Sequence, residues 1–72
     1  MAEHRFCYCT FRGEGKTTEI ADLYINGARR TEFEYGFELL DGMSEEGFEL
    51  IQHSIGQKGT SFSHHYFTFR KG

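Results

Sequence analysis

The segment Thr31 to Ile51, TEFEYGFELLDGMSEEGFELI, decides the fold, because it reads as an amphipathic helix that stops at Gly47 and runs straight into an apolar strand. Thr31 is placed to cap the helix, and Glu34 three residues on completes a capping box. Phe33, Gly36, Phe37, Leu40 and Met43 recur at the three-and-four spacing of a buried helical stripe, with Leu39 flanking it. At the far end Gly47 suits the left-handed C′ position, and Phe48 behind it is expected to meet Met43, as in a Schellman stop. One pattern competes. Phe33, Tyr35, Phe37 and Leu39 also alternate with Glu32, Glu34, Gly36 and Glu38 like a strand, but alternation accounts for neither the cap nor the stop.

Working outward, His4 to Phe11 reads as a first strand with Phe6, Tyr8 and Thr10 on one face and Arg5, Cys7, Cys9 and Phe11 on the other. Gly13 to Lys16 makes a turn. Thr18 to Ile25 is a second strand, ended by Asn26-Gly27, the strongest short-range turn signal in the chain. Arg29 and Arg30 then connect into the helix. Phe48 to Ile55 forms a third strand, Gly56 to Gly59 a turn, and Ser61 to Arg70 a long fourth strand. On that fourth strand Phe67 and Phe69 share a face with Ser63 and His65, opposite Phe62, His64, Tyr66 and Thr68. The expected architecture is one α+β domain over residues 1–72. It is a single four-stranded antiparallel sheet in the order β-β-α-β-β, with one helix packed on one face.

A chain of 72 residues buries only about 60% of its unfolded surface, so subunit pairing is a natural source of added stability. Eight Phe, four Tyr and no Trp supply more rings than one small core holds. The net charge of −3 disfavours a sequence-independent nucleic-acid binder, which grips phosphates with clustered Lys and Arg. The residues after Met1 lead into a mixed strand and not an apolar leader, and no apolar run approaches the roughly 20 residues that span a bilayer. The expectation is a cytoplasmic protein without a membrane segment, its Cys7 and Cys9 reduced.

Leu40 to Ile51, followed by a strand ending Tyr66-Phe67-Thr68-Phe69-Arg70, resembles a family of short bacterial and phage-encoded domains of unknown function. Their pattern is strand, helix, then Gly-Trp-Glu-Leu opening a hairpin that closes on an aromatic-rich strand with a basic residue. The likeness covers about half the chain. Phe48 stands where the family usually has Trp, and the stretch from Gly13 to Arg30 is longer than the family's link. The resemblance implies a fold and no activity.

The chemical motifs are weak. Gly13-Glu14-Gly15-Lys16-Thr17-Thr18 looks like the end of a phosphate-binding loop, yet Thr10 stands where the first Gly is needed, and a strand pattern follows where a helix N-terminus should be. Cys7, Cys9, His4, His53, His64 and His65 are potential zinc ligands, and Cys7 and Cys9 approach His65 if the first and fourth strands are neighbours. A strand Cys-x-Cys is loose for zinc, however, and mid-strand thiols are more often small core hydrophobes. A mid-strand Cys is also a poor nucleophile. The reading is no catalytic residue, no metal and no cofactor.

Two surfaces remain. Glu34, Glu38, Asp41 and Glu45 fall along one helix stripe where like charges cost about 0.2–0.5 kcal/mol per pair. Glu45 and Glu46 stand at the negative end of the helix dipole. These five residues form a candidate strip for docking on a basic protein surface. A single helix covers one sheet face only, and Phe6, Tyr8, Phe62 and Tyr66 are the candidates for the uncovered one, suited to a homodimer contact. The expected function is a small protein-binding module that occupies a macromolecular partner. Two alternatives are a phage-encoded inhibitor of a host nucleic-acid-handling or defence system, with the acidic helix as phosphate mimic, and a single-stranded nucleic-acid binder stacking bases on the sheet.

Overall fold

The computed structural model describes residues 2–12, 19–58 and 62–72. The Gly13 to Lys16 turn, its phosphate-loop likeness and the start of the second strand at Thr18 lie outside the described residues. In chain order the elements are β1 (Glu3–Arg12), β2 (Glu19–Ile25), β3 (Ala28–Arg29), α1 (Gly36–Glu45), β4 (Glu49–Lys58) and β5 (Phe62–Lys71). The strands form one antiparallel sheet ordered β3-β2-β1-β5-β4.

The expected four strands in the order β-β-α-β-β are thus five, in the order β-β-β-α-β-β. Asn26-Gly27 is the cause. Asn26 has φ 50 and Gly27 φ 84, the pair of left-handed residues that a tight hairpin turn requires. The chain folds back on itself, so that Ala28 pairs with Ile25 and Arg29 with Tyr24. A turn of this kind does not merely end a strand; it supplies the partner for the strand it ends. The Gly56 turn is corrected too, because β4 continues past Gly56 through a bulge.

The helix is shorter than its sequence pattern. Ile20 N–H donates to Glu34 C=O at 2.8 Å and Tyr35 forms an isolated bridge with Glu19, which holds residues 34 and 35 against the sheet and delays the helix to Gly36. The strand-like alternation around Tyr35 is therefore expressed at this one point. The N-terminus is capped at Tyr35 and not at Thr31: the Glu38 carboxylate accepts from the backbone N–H of Tyr35 at 2.9 Å and of Glu34 at 3.1 Å. The stop is as expected. Gly47 has φ 88, Phe48 N–H donates to Met43 C=O at 2.9 Å and Gly47 N–H to Ser44 C=O at 3.0 Å, the two bonds of a Schellman motif.

The later start turns the buried stripe. Leu39 and Met43 are fully buried, whereas Phe37 is 49% and Leu40 39% exposed. Gly36 lies against Phe11, where an added Cβ would stand 2.9 Å from the ring, so the helix approaches β1 more closely than a side chain there allows. Beneath it the core comprises Cys7, Cys9 and Phe11 of β1, Leu23 and Ile25 of β2, and Phe67 and Phe69 of β5, closed by Phe48. These are the odd-numbered residues of β1, β2 and β5, one face of a period-two sheet. Their register agrees: Cys7 opposes Ile25 on one side and Phe67 on the other. The helix leaves β4 uncovered, where Leu50, Ile51 and Ile55 are each more than 40% exposed. No helix among the described residues is long and apolar enough to cross a membrane.

Candidate functional site

Among the described residues, the even-numbered side chains of β1 and β5 form the face that no helix covers. Tyr8 is directly opposite Tyr24 of β2 and Tyr66 of β5, which places three tyrosines in a row across three strands. Their ring centroids are 6.3 Å apart for Tyr8 and Tyr24 and 5.1 Å for Tyr8 and Tyr66, both tilted contacts. Phe6 lies one pleat to one side of the row, 60% exposed, and Phe62 two pleats to the other, 43% exposed. The candidates Phe6, Tyr8, Phe62 and Tyr66 are thus brought together on the uncovered face.

Local features hold these rings. Gly56, the extra residue of a β4 bulge, lies under Tyr66: an added Cβ would be 2.5 Å from the ring, so the absent side chain lets Tyr66 lie over β4. Tyr8 Oη lies 2.7 Å from His64 Nδ1 and Thr10 Oγ1 lies 3.2 Å from the same nitrogen, which gives the buried polar Thr10 its partner. Between Phe6, Tyr8, Tyr66, Thr68, Gln52 and Ser54 the face sinks into an open hollow of about 340 Å³. Tyr24 and His64 belong to this site and escape a reading of the sequence alone. Alternation puts them on one face or the other of their own strands, but only the register shows that both touch Tyr8.

The charges on this face are largely internal. Arg12 pairs with Glu19 at 3.1 Å and Arg29 with Asp22 at 3.3 Å, while Arg12 also leans toward the Phe62 ring at 6.0 Å. Arg70 and Glu49 are cross-strand neighbours. The surface is aromatic and close to neutral.

The five acidic candidates lie away from that face and do not form one open strip. Glu38 is occupied by the helix N-terminus. Glu46 forms a two-pronged pair with Arg5, Nη1 to Oε2 at 2.8 Å and Nη2 to Oε1 at 3.1 Å, which holds its carboxyl below the usual range. Glu34 precedes the helix, exposed, with its backbone tied to Ile20. Asp41 and Glu45 remain, exposed and one turn apart on α1.

Cys9 does stand opposite His65, since β1 and β5 are neighbours. Among the described residues, though, no three His, Cys, Asp or Glu side chains converge on one point. Both thiols are free and buried, and loss of hydration pushes Cys7 up to about 11 and Cys9 up to about 12, the opposite of an activated nucleophile. The chain matches no family model, no curated protein and no solved structure.

Proposed function

We propose that this chain is a small protein-binding module whose binding surface is the uncovered aromatic face of the sheet, and that it pairs with a second copy of itself when no other partner is present. The observation that carries the reading is the exposure of Phe6, Tyr24, Phe62 and Tyr66 on one continuous face. Soluble monomers rarely leave an apolar patch of more than a few hundred square ångströms in water. Tyr, Phe and Arg over a nearly neutral centre also make the composition of a protein interface. Burying the patch is favourable at roughly 25 cal/mol per Å², before the cost of association. A two-fold pair is the commonest closed arrangement.

The internal ion pairs favour protein over nucleic acid. Phosphates are gripped by Lys and Arg whose charge is not already spent, and Arg12 and Arg29 each have a carboxylate beside them. Asp41 and Glu45 on the opposite side are the acids left to meet a basic partner.

Light scattering over a dilution series tests the reading. The wild-type chain is expected to associate at high concentration, and Phe6→Ser with Tyr66→Ser to abolish association without loss of the fold. A wild-type chain that stays monomeric at high concentration and shows no tendency to aggregate overturns it. Salt-sensitive binding of single-stranded DNA, weakened by the same substitutions, would favour the stacking alternative instead.

A further inference from the structure

Behind the hollow of the aromatic face, on the helix side of the same two strands, a pair of histidines meets. His53 Nε2 of β4 lies 2.8 Å from His65 Nδ1 of β5, with the ring planes within 16° of each other, so one imidazole donates to the other along a single line. We propose that this hydrogen bond is an acid-sensitive clasp on β4, whose opening below neutral pH dismantles one wall of the hollow and weakens binding on the aromatic face, a regulation that rests on the reading of that face as a binding surface.

Strand alternation couples the two faces. His53 is opposite Phe67 on the helix side, whereas its neighbours Gln52 and Ser54 are opposite Thr68 and Tyr66 and line the hollow. Three consecutive residues thus carry both the clasp and the wall. β4 is an edge strand, paired with β5 alone among the described residues. Its pairing is interrupted on both sides, between Leu50 and Gln52 and between Ile55 and Gln57, so Gln52 to Ile55 is a short regular stretch between two irregular ones. Just past it Gly56 lies under the Tyr66 ring. Movement of this part of β4 therefore shifts the wall of the hollow and removes the support of an exposed tyrosine together.

The pair responds to acid because one ring has to accept. The hydrogen bond survives with no added proton, or with one on His53, since His65 Nδ1 then still offers a lone pair. With both rings protonated no acceptor is left, and two positive charges stand at hydrogen-bond distance. Neither ring is placed to turn away freely: His65 Nε2 lies 3.0 Å from Ser63 Oγ and its ring is edge-on to Phe11 at 4.8 Å, while His53 is stacked on Phe67 at 4.5 Å.

Nothing nearby offsets a proton on His65. Opposite it on β1 is the thiol of Cys9, which burial keeps neutral, and the charges that act on it are those of His53 on β4 and His64 beside it on β5. No carboxylate and no charge of α1 acts on it among the described residues. Burial, reinforced by His53 and His64, holds His65 below the ordinary imidazole range. A lowered folded value means that the stabilisation is present above about pH 6.5 and is lost as pH falls through that value.

Amide hydrogen exchange in the Phe6→Ser, Tyr66→Ser chain reads the clasp without association. Between about pH 7.5 and 5 the protection of Gln52, His53 and Ser54, corrected for intrinsic exchange, should fall at least about fivefold, while that of Leu23 in β2 holds. His53→Gln should remove the pH dependence, because an amide both donates and accepts and keeps a link to His65 in either protonation state. Light scattering then reads the consequence in the wild-type chain. Its dissociation constant should rise at least about fivefold over the same range, and His53→Gln should remove the rise. The sign is informative, since the net charge of −3 at pH 7 shrinks on acidification, which by itself favours association. Unchanged protection of Gln52 to Ser54, or a fall that persists in full in His53→Gln, overturns the clasp. Lost protection with undiminished association overturns its control of the face. A wild-type chain that associates at no pH overturns the binding reading and the regulation built on it, and leaves the exchange result to decide the clasp.

Discussion

Arg5 and Glu46 close the molecule at one end: the guanidinium at the start of the sheet makes two parallel hydrogen bonds to the carboxylate just past the helix. Arg5 does more than pair. It lies 4.2 Å over the Phe48 ring and touches Met43 Sδ, so it also covers the core where helix turns into strand. An acid at a helix C-terminus opposes the dipole, and Arg5 offsets that cost. The sequence pattern makes Glu46 look free to serve a partner; its location shows a role within the fold.

The pair has a pH signature. The hydrogen bonds from Arg5 lower the Glu46 pKa in the folded state, so their contribution is present above the unfolded carboxyl range and disappears as pH falls through the lower folded value. Chemical denaturation of Glu46→Gln should show a smaller loss of stability than the wild type below about pH 4.5. Arg5→Ala should cost about 1 kcal/mol at neutral pH as well, because it removes the cover over Phe48.

Gly47 bears the whole change of direction from α1 to β4. Its φ of 88 is in the region that only glycine enters freely, and an added Cβ would meet nothing nearer than the flexible Lys71 side chain at 3.5 Å. The cost of a side chain is therefore in the backbone. Gly47→Ala should lower the denaturation free energy by about 1 kcal/mol or more, and Gly47→Asn by less, because Asn tolerates the left-handed conformation better. An unchanged midpoint for Gly47→Ala would show that the Schellman turn is not needed.

The two cysteines should be silent in the native protein. With Cys7 pushed up to about 11 and Cys9 up to about 12, the thiolate is scarce at pH 8, and neither sulfur is reached from solvent. A colorimetric thiol reagent should titrate both groups only after denaturant is added. The same shifts set an alkaline limit. A raised folded pKa means that the unfolded chain ionises first, so stability should fall as pH rises from about 9 toward the folded values.

The helix stop was legible in the sequence because it is local: Gly47 and Phe48 determine it within a few residues of backbone, and no distant contact alters it. The helix start was not. Thr31 with Glu34 and Tyr35 with Glu38 both offer a glutamate three residues after a cap position, and the hydrogen bond that Ile20 of β2, remote in sequence, donates to the Glu34 carbonyl selects the second. That shift moves the buried stripe to Leu39 and Met43 and leaves Phe37 and Leu40 at the surface.

Residue alternation by itself determined which side chains of β1 and β5 share a face, since a period of two admits no other arrangement within a strand. Which face the helix covers, and what each strand meets sideways, came only from the tertiary structure. Tyr24 beside Tyr8, Tyr66 over the Gly56 bulge, Glu46 against Arg5 and His53 against His65 all join residues far apart in the chain. Periodicity repeats along a strand and carries no record of its neighbour's register. That register is decided by the packing of the core, where Cys7, Phe67 and Ile25 must come level before any surface residue has a partner.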